Sequence, residues 1–156
     1  PLHPESCSEL LMLRVTKMTD YASMLLACLA QAPGKVHSAS DLAEQARLEL
    51  PTVSKVLKPL SRAGLIEAFR GSQGGYRLAK PAAQITLFEV VEAMEGRLGM
   101  TECSGEHSQC EHEPHCGMQS HWQKINDVIG DALKAVSIAE LNGAPRRSIP
   151  LKLAKA

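Results

Sequence analysis

The sequence predicts a mainly α chain with one small β-hairpin and a long C-terminal helix set apart from the domain before it. Three observations lead there. Apolar residues recur at steps of three and four in successive stretches from Thr19 to Val136. The glycine-rich turn Gly71-Ser-Gln-Gly74 separates two short runs of strand composition. The apolar content is 44% but aromatics make up only 3%, so the core must be aliphatic.

Residues 1–11 precede Met12 and lack the basic start and apolar run of an export signal. They read as an upstream leader without order, and Cys7 within it as a free surface thiol. The first helix starts at Thr19, a capping residue, with Asp20 in its first turn and Tyr21, Met24, Leu25, Cys28 and Leu29 on one stripe. Cys28 lies on that stripe and reads as a small core hydrophobe. Ala32-Pro33-Gly34 ends the helix.

Ser40 is expected to cap a short second helix through Leu42, Ala43 and Ala46. The turn Arg47-Leu-Glu-Leu50 leads to Pro51, expected at the first position of a third helix. Val53, Val56, Leu57 and Leu60 form its inner side, while Thr52, Ser54, Lys55, Lys58 and Arg62 occupy the rest. Pro59 is expected to kink it near the end, and Ala63-Gly64 supplies the stop. Leu65–Arg70 and Gly75–Leu78 then make the hairpin. Two helices joined by a short turn and followed by a hairpin spell a winged helix-turn-helix over residues 12–80.

Thr86 and Glu89 form a capping box for a helix through Leu87, Val90, Val91 and Met94. This connecting helix and the loop after it occupy residues 81–117. The region 118–141 carries the long helix, with Trp122, Ile125, Ile129, Leu133 and Val136 on one narrow seam. Such a helix is expected to be a dimer stalk, the alternative being a helix packed on its own domain. Ser137 and Glu140 repeat the capping-box signature and start one more turn. Residues 142–156, with Gly143, Pro145, Pro150 and four basic side chains, are expected to be a disordered tail.

Charge separates the halves. Residues 34–80 hold eight Lys/Arg against four Asp/Glu, a net of +4; residues 81–116 hold one Arg against seven Glu, a net of −6. The basic half suits nucleic acid. Within a helix-turn-helix, Pro51, Thr52, Ser54, Lys55 and Lys58 begin the helix that would enter the major groove. Ser38 and Ser40 would offer hydroxyl and backbone N–H groups to phosphate. Arg70, Ser72 and Gln73, at the hairpin tip, are placed to enter a minor groove.

The acidic half contains Cys103, Cys110 and Cys116, three thiols in fourteen residues without apolar neighbours. A segment that cannot fold by burial is organised by a metal or by oxidation. Their spacings are wider than zinc knuckles favour, although Cys₃His sites with His107, His112 or His115 are chemically open. An iron–sulfur cluster accepts wider loops. A thiol redox switch without metal is a third option. No run reaches the roughly twenty apolar residues of a membrane span, and five cysteines without an export signal suit the cytoplasm. No nucleophile–base pair or phosphate-binding glycine loop indicates an enzyme or a small-molecule substrate.

Residues 12 to about 142 resemble the Rrf family of winged-helix transcription regulators, which includes IscR-like and NsrR-like members. The resemblance rests on Leu13-Arg-Val-Thr-Lys-Met-Thr-Asp-Tyr21, on Arg70-Gly-Ser-Gln-Gly-Gly-Tyr76, and on the three-cysteine loop. Within the family the likeness is to proteobacterial regulators of SUF iron–sulfur assembly. It implies a homodimer on double-stranded operator DNA that represses iron–sulfur assembly genes. It also implies one cluster per subunit, 2Fe-2S or 4Fe-4S, on Cys103, Cys110 and Cys116. In NsrR-like members the fourth ligand is an Asp from the other subunit, and Asp20 falls at that place. In IscR-like members it is a His three residues after the last Cys, where this chain has Gln119. His115 and His107 are second choices. The alternatives are a nitric-oxide or redox sensor of the same family, and a zinc-stabilised interaction module.

Overall fold

The computed structural model describes residues 15–99 and 118–143. They form α1 (Lys17–Ala30), α2 (Ala39–Ala46), α3 (Leu50–Arg62), β1 (Ile66–Phe69), β2 (Gly75–Leu78), a 3-10 turn (Ala82–Gln84), α4 (Leu87–Glu95), α5 (Gln119–Lys134) and α6 (Ile138–Leu141). The three thiols Cys103, Cys110 and Cys116 lie outside the described residues, as do the leader with Cys7 and residues 144–156 of the tail. Among the described residues no helix is long and apolar enough to cross a membrane.

The core is aliphatic, as the composition requires. Leu25, Leu26 and Leu29 of α1 meet Leu42 of α2, Val53, Val56, Leu57 and Leu60 of α3, and Val90 of α4. Full burial of each such side chain contributes about 1.5–3 kcal/mol against exposure. Cys28 packs against this cluster, and burial pushes its thiol above its ordinary value. A protonated, half-buried thiol is packing material and a poor ligand.

Two helix starts differ from expectation. Thr16, not Thr19, occupies the cap position of α1, and Thr19 is buried within the first turn. Ser38, not Ser40, caps α2: its Oγ accepts from the Asp41 amide at 3.0 Å, and the Asp41 carboxylate accepts from the Ser38 amide at 3.1 Å. Ser40 instead sits exposed in the first turn. The shorter Asp fills the place that Glu or Gln takes in the usual box.

α3 is capped at Glu49, so Pro51 is its second residue, where a missing N–H costs no helical bond. The helix continues through Pro59 to Arg62. It ends in a Schellman turn: Leu65 donates to the Leu60 carbonyl at 3.1 Å, Gly64 to Ser61 at 3.1 Å, and Gly64 takes a left-handed φ of 72°. Leu65 and Leu60, both buried, make the apolar contact that accompanies this turn.

β1 and β2 pair antiparallel, Ile66 opposite Leu78 and Phe69 opposite Gly75. His37 extends the ladder, exchanging backbone bonds with Tyr76 at 2.9 and 2.7 Å. The approach is so close that a Cβ on Gly75 would lie 2.7 Å from the His37 carbonyl carbon. The wing is thereby tied to the entry of α2.

The expected 118–141 helix is two elements. α5 stops at Lys134, and the chain then bonds back to the domain: Leu87 donates to Val136 at 2.9 Å and Ile138 to Ile85 at 2.8 Å. The Ser137–Glu140 capping box starts α6 as the sequence indicates. Ile138 is 0% exposed, however, and α6 packs on α1 and the 3-10 turn. Asn142, where the tail was expected to begin, donates from Nδ2 to the Ala27 carbonyl at 2.9 Å. A short element with a single anchoring Ile gains more by filling the domain core than by lengthening a stalk.

Candidate functional site

α3 is divided lengthwise. Val53, Val56, Leu57 and Leu60 are at most 1% exposed, while Pro51, Lys55 and Lys58 are exposed and Thr52 and Ser54 half-buried. Arg62 continues the outer row one turn beyond Lys58, a position that the sequence argument left out of the interface. Among the described residues, Lys55, Lys58, Arg62 and Arg70 make no ion pair, whereas Arg77 pairs with Glu67 at 2.8 Å and Lys80 with Glu89 at 2.6 Å. The outer row of α3 therefore presents cations open to a polyanion.

Arg70, Ser72 and Gln73 are all exposed at the hairpin tip. Behind the tip, the Arg77 guanidinium lies 4.7 Å from the centre of the Phe69 ring, stiffening the arm. α2 supports phosphate binding less well than expected. The Ser38 amide and hydroxyl are engaged by Asp41. Hydrogen bonds from the Ser38 side chain and backbone hold the Asp41 carboxyl below its ordinary value, so the helix entry carries negative charge. Ser38 thus has no free backbone N–H for phosphate. Ser40 keeps an exposed hydroxyl. His37, beside this entry, is 4% exposed, and its Nε2 finds no partner among the described residues.

Asp20 is exposed in the first turn of α1, and its side chain has no hydrogen bond or ion pair with a described residue. It lines an open recess of about 600 Å³ with Val15, Thr16 and Lys17. At the same helix end, Glu95 Oε1 accepts from the Thr16 amide at 3.2 Å, from the Thr16 hydroxyl at 2.6 Å and from the Thr19 hydroxyl. Burial opposes its ionisation, but these donors together hold the Glu95 carboxyl below its usual range. This junction spans 79 residues of sequence, and no local pattern announces it. Among the described residues no group of three or more His, Cys, Asp or Glu is arranged to hold a metal.

Trp122, Ile129 and Leu133 are half-buried and Ile125 is 42% exposed. Met118 and Val128, which the sequence argument did not include, extend the apolar face and are also exposed. α5 touches α4 through Gly130, where an added Cβ would lie 3.4 Å from the Phe88 ring. Gly130 is turned about 100° round the helix from Ile129; Trp122, Ile129 and Leu133 are part-covered within the chain itself, and Ile125 and Val128 form the exposed edge of the apolar face.

A helix-turn-helix, a hairpin wing and an appended amphipathic helix define a winged-helix transcription regulator. The chain belongs to the Rrf2 family, described as an iron-dependent transcriptional regulator, whose pattern matches residues 15–143. It is 35% identical over 131 residues to Protein aau3 of Rhizobium meliloti (strain 1021), covering 83% of this chain and 84% of that one. It is 34% identical over 125 residues to the HTH-type transcriptional regulator NsrR of Shouchella clausii (strain KSM-K16), covering 79% of each. Among solved structures, T. potens IscR superposes with a TM-score of 0.60 at 26% identity, over 82% of this chain and 85% of that one. A place among transcription regulators agrees with the expectation that the chain is not an enzyme.

Proposed function

We propose that this chain is a homodimeric repressor that binds operator DNA through α3 and the wing tip and senses through an iron–sulfur cluster. The lengthwise division of α3 carries the proposal. Its inner row is locked in the core, so Thr52, Ser54, Lys55 and Lys58 are held on a rigid support, as base and phosphate contacts require. Arg70 at the wing tip adds a minor-groove contact. Trp122, Ile125, Ile129 and Leu133 pair with their own copies across a two-fold axis.

The donor chemistry fits a cluster. Cys103, Cys110 and Cys116 offer three thiolates, and Asp20 is exposed and unengaged among the described residues, free to serve the partner subunit as fourth ligand. When bound, the cluster, 2Fe-2S or 4Fe-4S, supplies a centre whose charge and ligation respond to oxidants. The chain's own part is to hold Asp20 on a fixed helix and to couple the loop to the dimer helix that follows it. Target genes of iron–sulfur assembly follow from the resemblance to SUF-system regulators.

Anaerobically purified protein tests this. The expected result is a brown protein with sulfide-to-iron absorption, whose operator affinity changes 5- to 150-fold on cluster loss, a coupling of ~1–3 kcal/mol. Cys103→Ala, Cys110→Ala or Cys116→Ala should each abolish the coloured form and fix the affinity at its apo value. A colourless protein with stoichiometric zinc, or a triple-cysteine variant that matches the loaded parent on DNA, overturns the sensor.

A further inference from the structure

The N-terminal turn of α1 is held from outside itself. Its cap residue, Thr16, makes no side-chain cap bond to the helix. Instead Glu95, the last residue of α4, receives the Thr16 amide and the hydroxyls of Thr16 and Thr19 on a single carboxylate oxygen. The Thr16 carbonyl in turn accepts from the amides of Thr19 and Asp20 at 3.1 and 3.2 Å. Glu95 thus fixes the peptide on which the Asp20 amide hangs, while the Asp20 side chain stays unengaged among the described residues. A carboxylate at a helix N-terminus is also stabilised by the helix dipole. In sequence, Cys103 follows Glu95 by eight residues.

We infer that Glu95 is a positioning residue for metal ligation: its carboxylate locks the first turn of α1 to the end of α4, and so sets Asp20 for the cluster of the partner subunit. The inference rests on the cluster function proposed for the chain. It goes beyond that function in giving the ligand a mechanical support. Because the same residue closes the helix leading toward Cys103, one carboxylate ties the ligand that a subunit donates to the segment that carries its own thiols.

The test uses full-length dimer and four variants: E95Q, E95D, D20A and the double variant E95Q/D20A. In metal-free protein, hydrogen exchange at the Thr19 and Asp20 amides should quicken at least tenfold in E95Q, because the amide group of Gln is a weaker acceptor for three donors. E95D, one methylene shorter, should restore protection only in part. In loaded protein, E95Q should speed cluster loss about tenfold in the parent background but less than twofold when Asp20 is already Ala, since residues acting through one another are not additive. Unchanged exchange in E95Q overturns the strut, whatever the cluster does. Equal acceleration with and without Asp20 shows that Glu95 acts only on general stability and overturns its role toward the ligand. A parent that takes up no cluster overturns that role together with the proposed function, while the exchange result still decides the strut.

Discussion

α3 and α5 both set apolar residues at steps of three and four, yet they use them in opposite ways. α3 hides Val53, Val56, Leu57 and Leu60 among α1, α2 and α4 of its own chain. α5 rests on α4 through Gly130 and leaves Ile125 and Val128, 42% and 48% exposed, on its outer side. A 3.6-residue period reports that a helix has an apolar face. It does not report whose surface covers that face. Burial divides α5: Gly130 marks its contact with α4, Trp122, Ile129 and Leu133 are half-buried, and Met118, Ile125 and Val128 are left exposed.

The sharpest way to break this contrast is to damage each helix in turn. Leu57→Ala should cost ~2–5 kcal/mol in urea unfolding through a cavity in the shared core, and the fractional loss should not depend on protein concentration. Ile129→Asp should instead weaken association by about 3 kcal/mol, because a charge enters an apolar seam. Sedimentation should then show monomer at micromolar protein. A dimer that survives would take the seam out of the interface. Gly75→Ala addresses the wing and should cost ~1–3 kcal/mol, since the new methyl meets the His37 carbonyl. Lys58→Ala, on the outer row of α3, should move stability by less than ~0.5 kcal/mol but lower the salt slope of operator binding by about one unit. An unchanged slope would remove Lys58 from the phosphate contacts.

A pH series gives the smallest effect per group. Hydrogen bonds to Ser38 and Ser137 lower Asp41 and Glu140, while Glu89 and Glu95 are lowered by their partners despite the opposing effect of burial. A carboxyl depressed in the folded state stabilises it above the ordinary range, near pH 4, and that contribution is lost as pH falls through the depressed values. Thermal midpoints should therefore hold at neutral pH and decline below about pH 4, less steeply in Glu89→Gln.

Local signals were legible in the sequence and distant ones were not. The capping boxes at Thr86 and Ser137, the stop at Gly64 and the inner row of α3 each depend on residues within a turn or two. Ser38 rather than Ser40 caps α2 because the short Asp41 side chain closes the box where Glu or Gln is usual, a weak signal in sequence. The His37–Tyr76 bridge is a single pair and has no period to detect. The Glu95 junction and the docking of Ile138 join residues tens of positions apart, which only tertiary packing brings together. At the site, the side chains of the α3 face and the wing could be named from the helix-turn-helix pattern. Arg62, Met118 and Val128 needed the structure to show which way each surface faces.

The docking of Ile138 has a consequence in time. The first domain lacks one piece of its core until the chain has been made some 43 residues past Glu95. At synthesis rates of ~5–20 residues per second, that delay lasts roughly 2–9 s. Through that interval a nascent α1 and the turn before α4 expose the groove that Ile138 will fill. α3 is therefore complete in sequence well before it stands on a finished support, and a newborn chain gains its settled core only after α5 has also emerged.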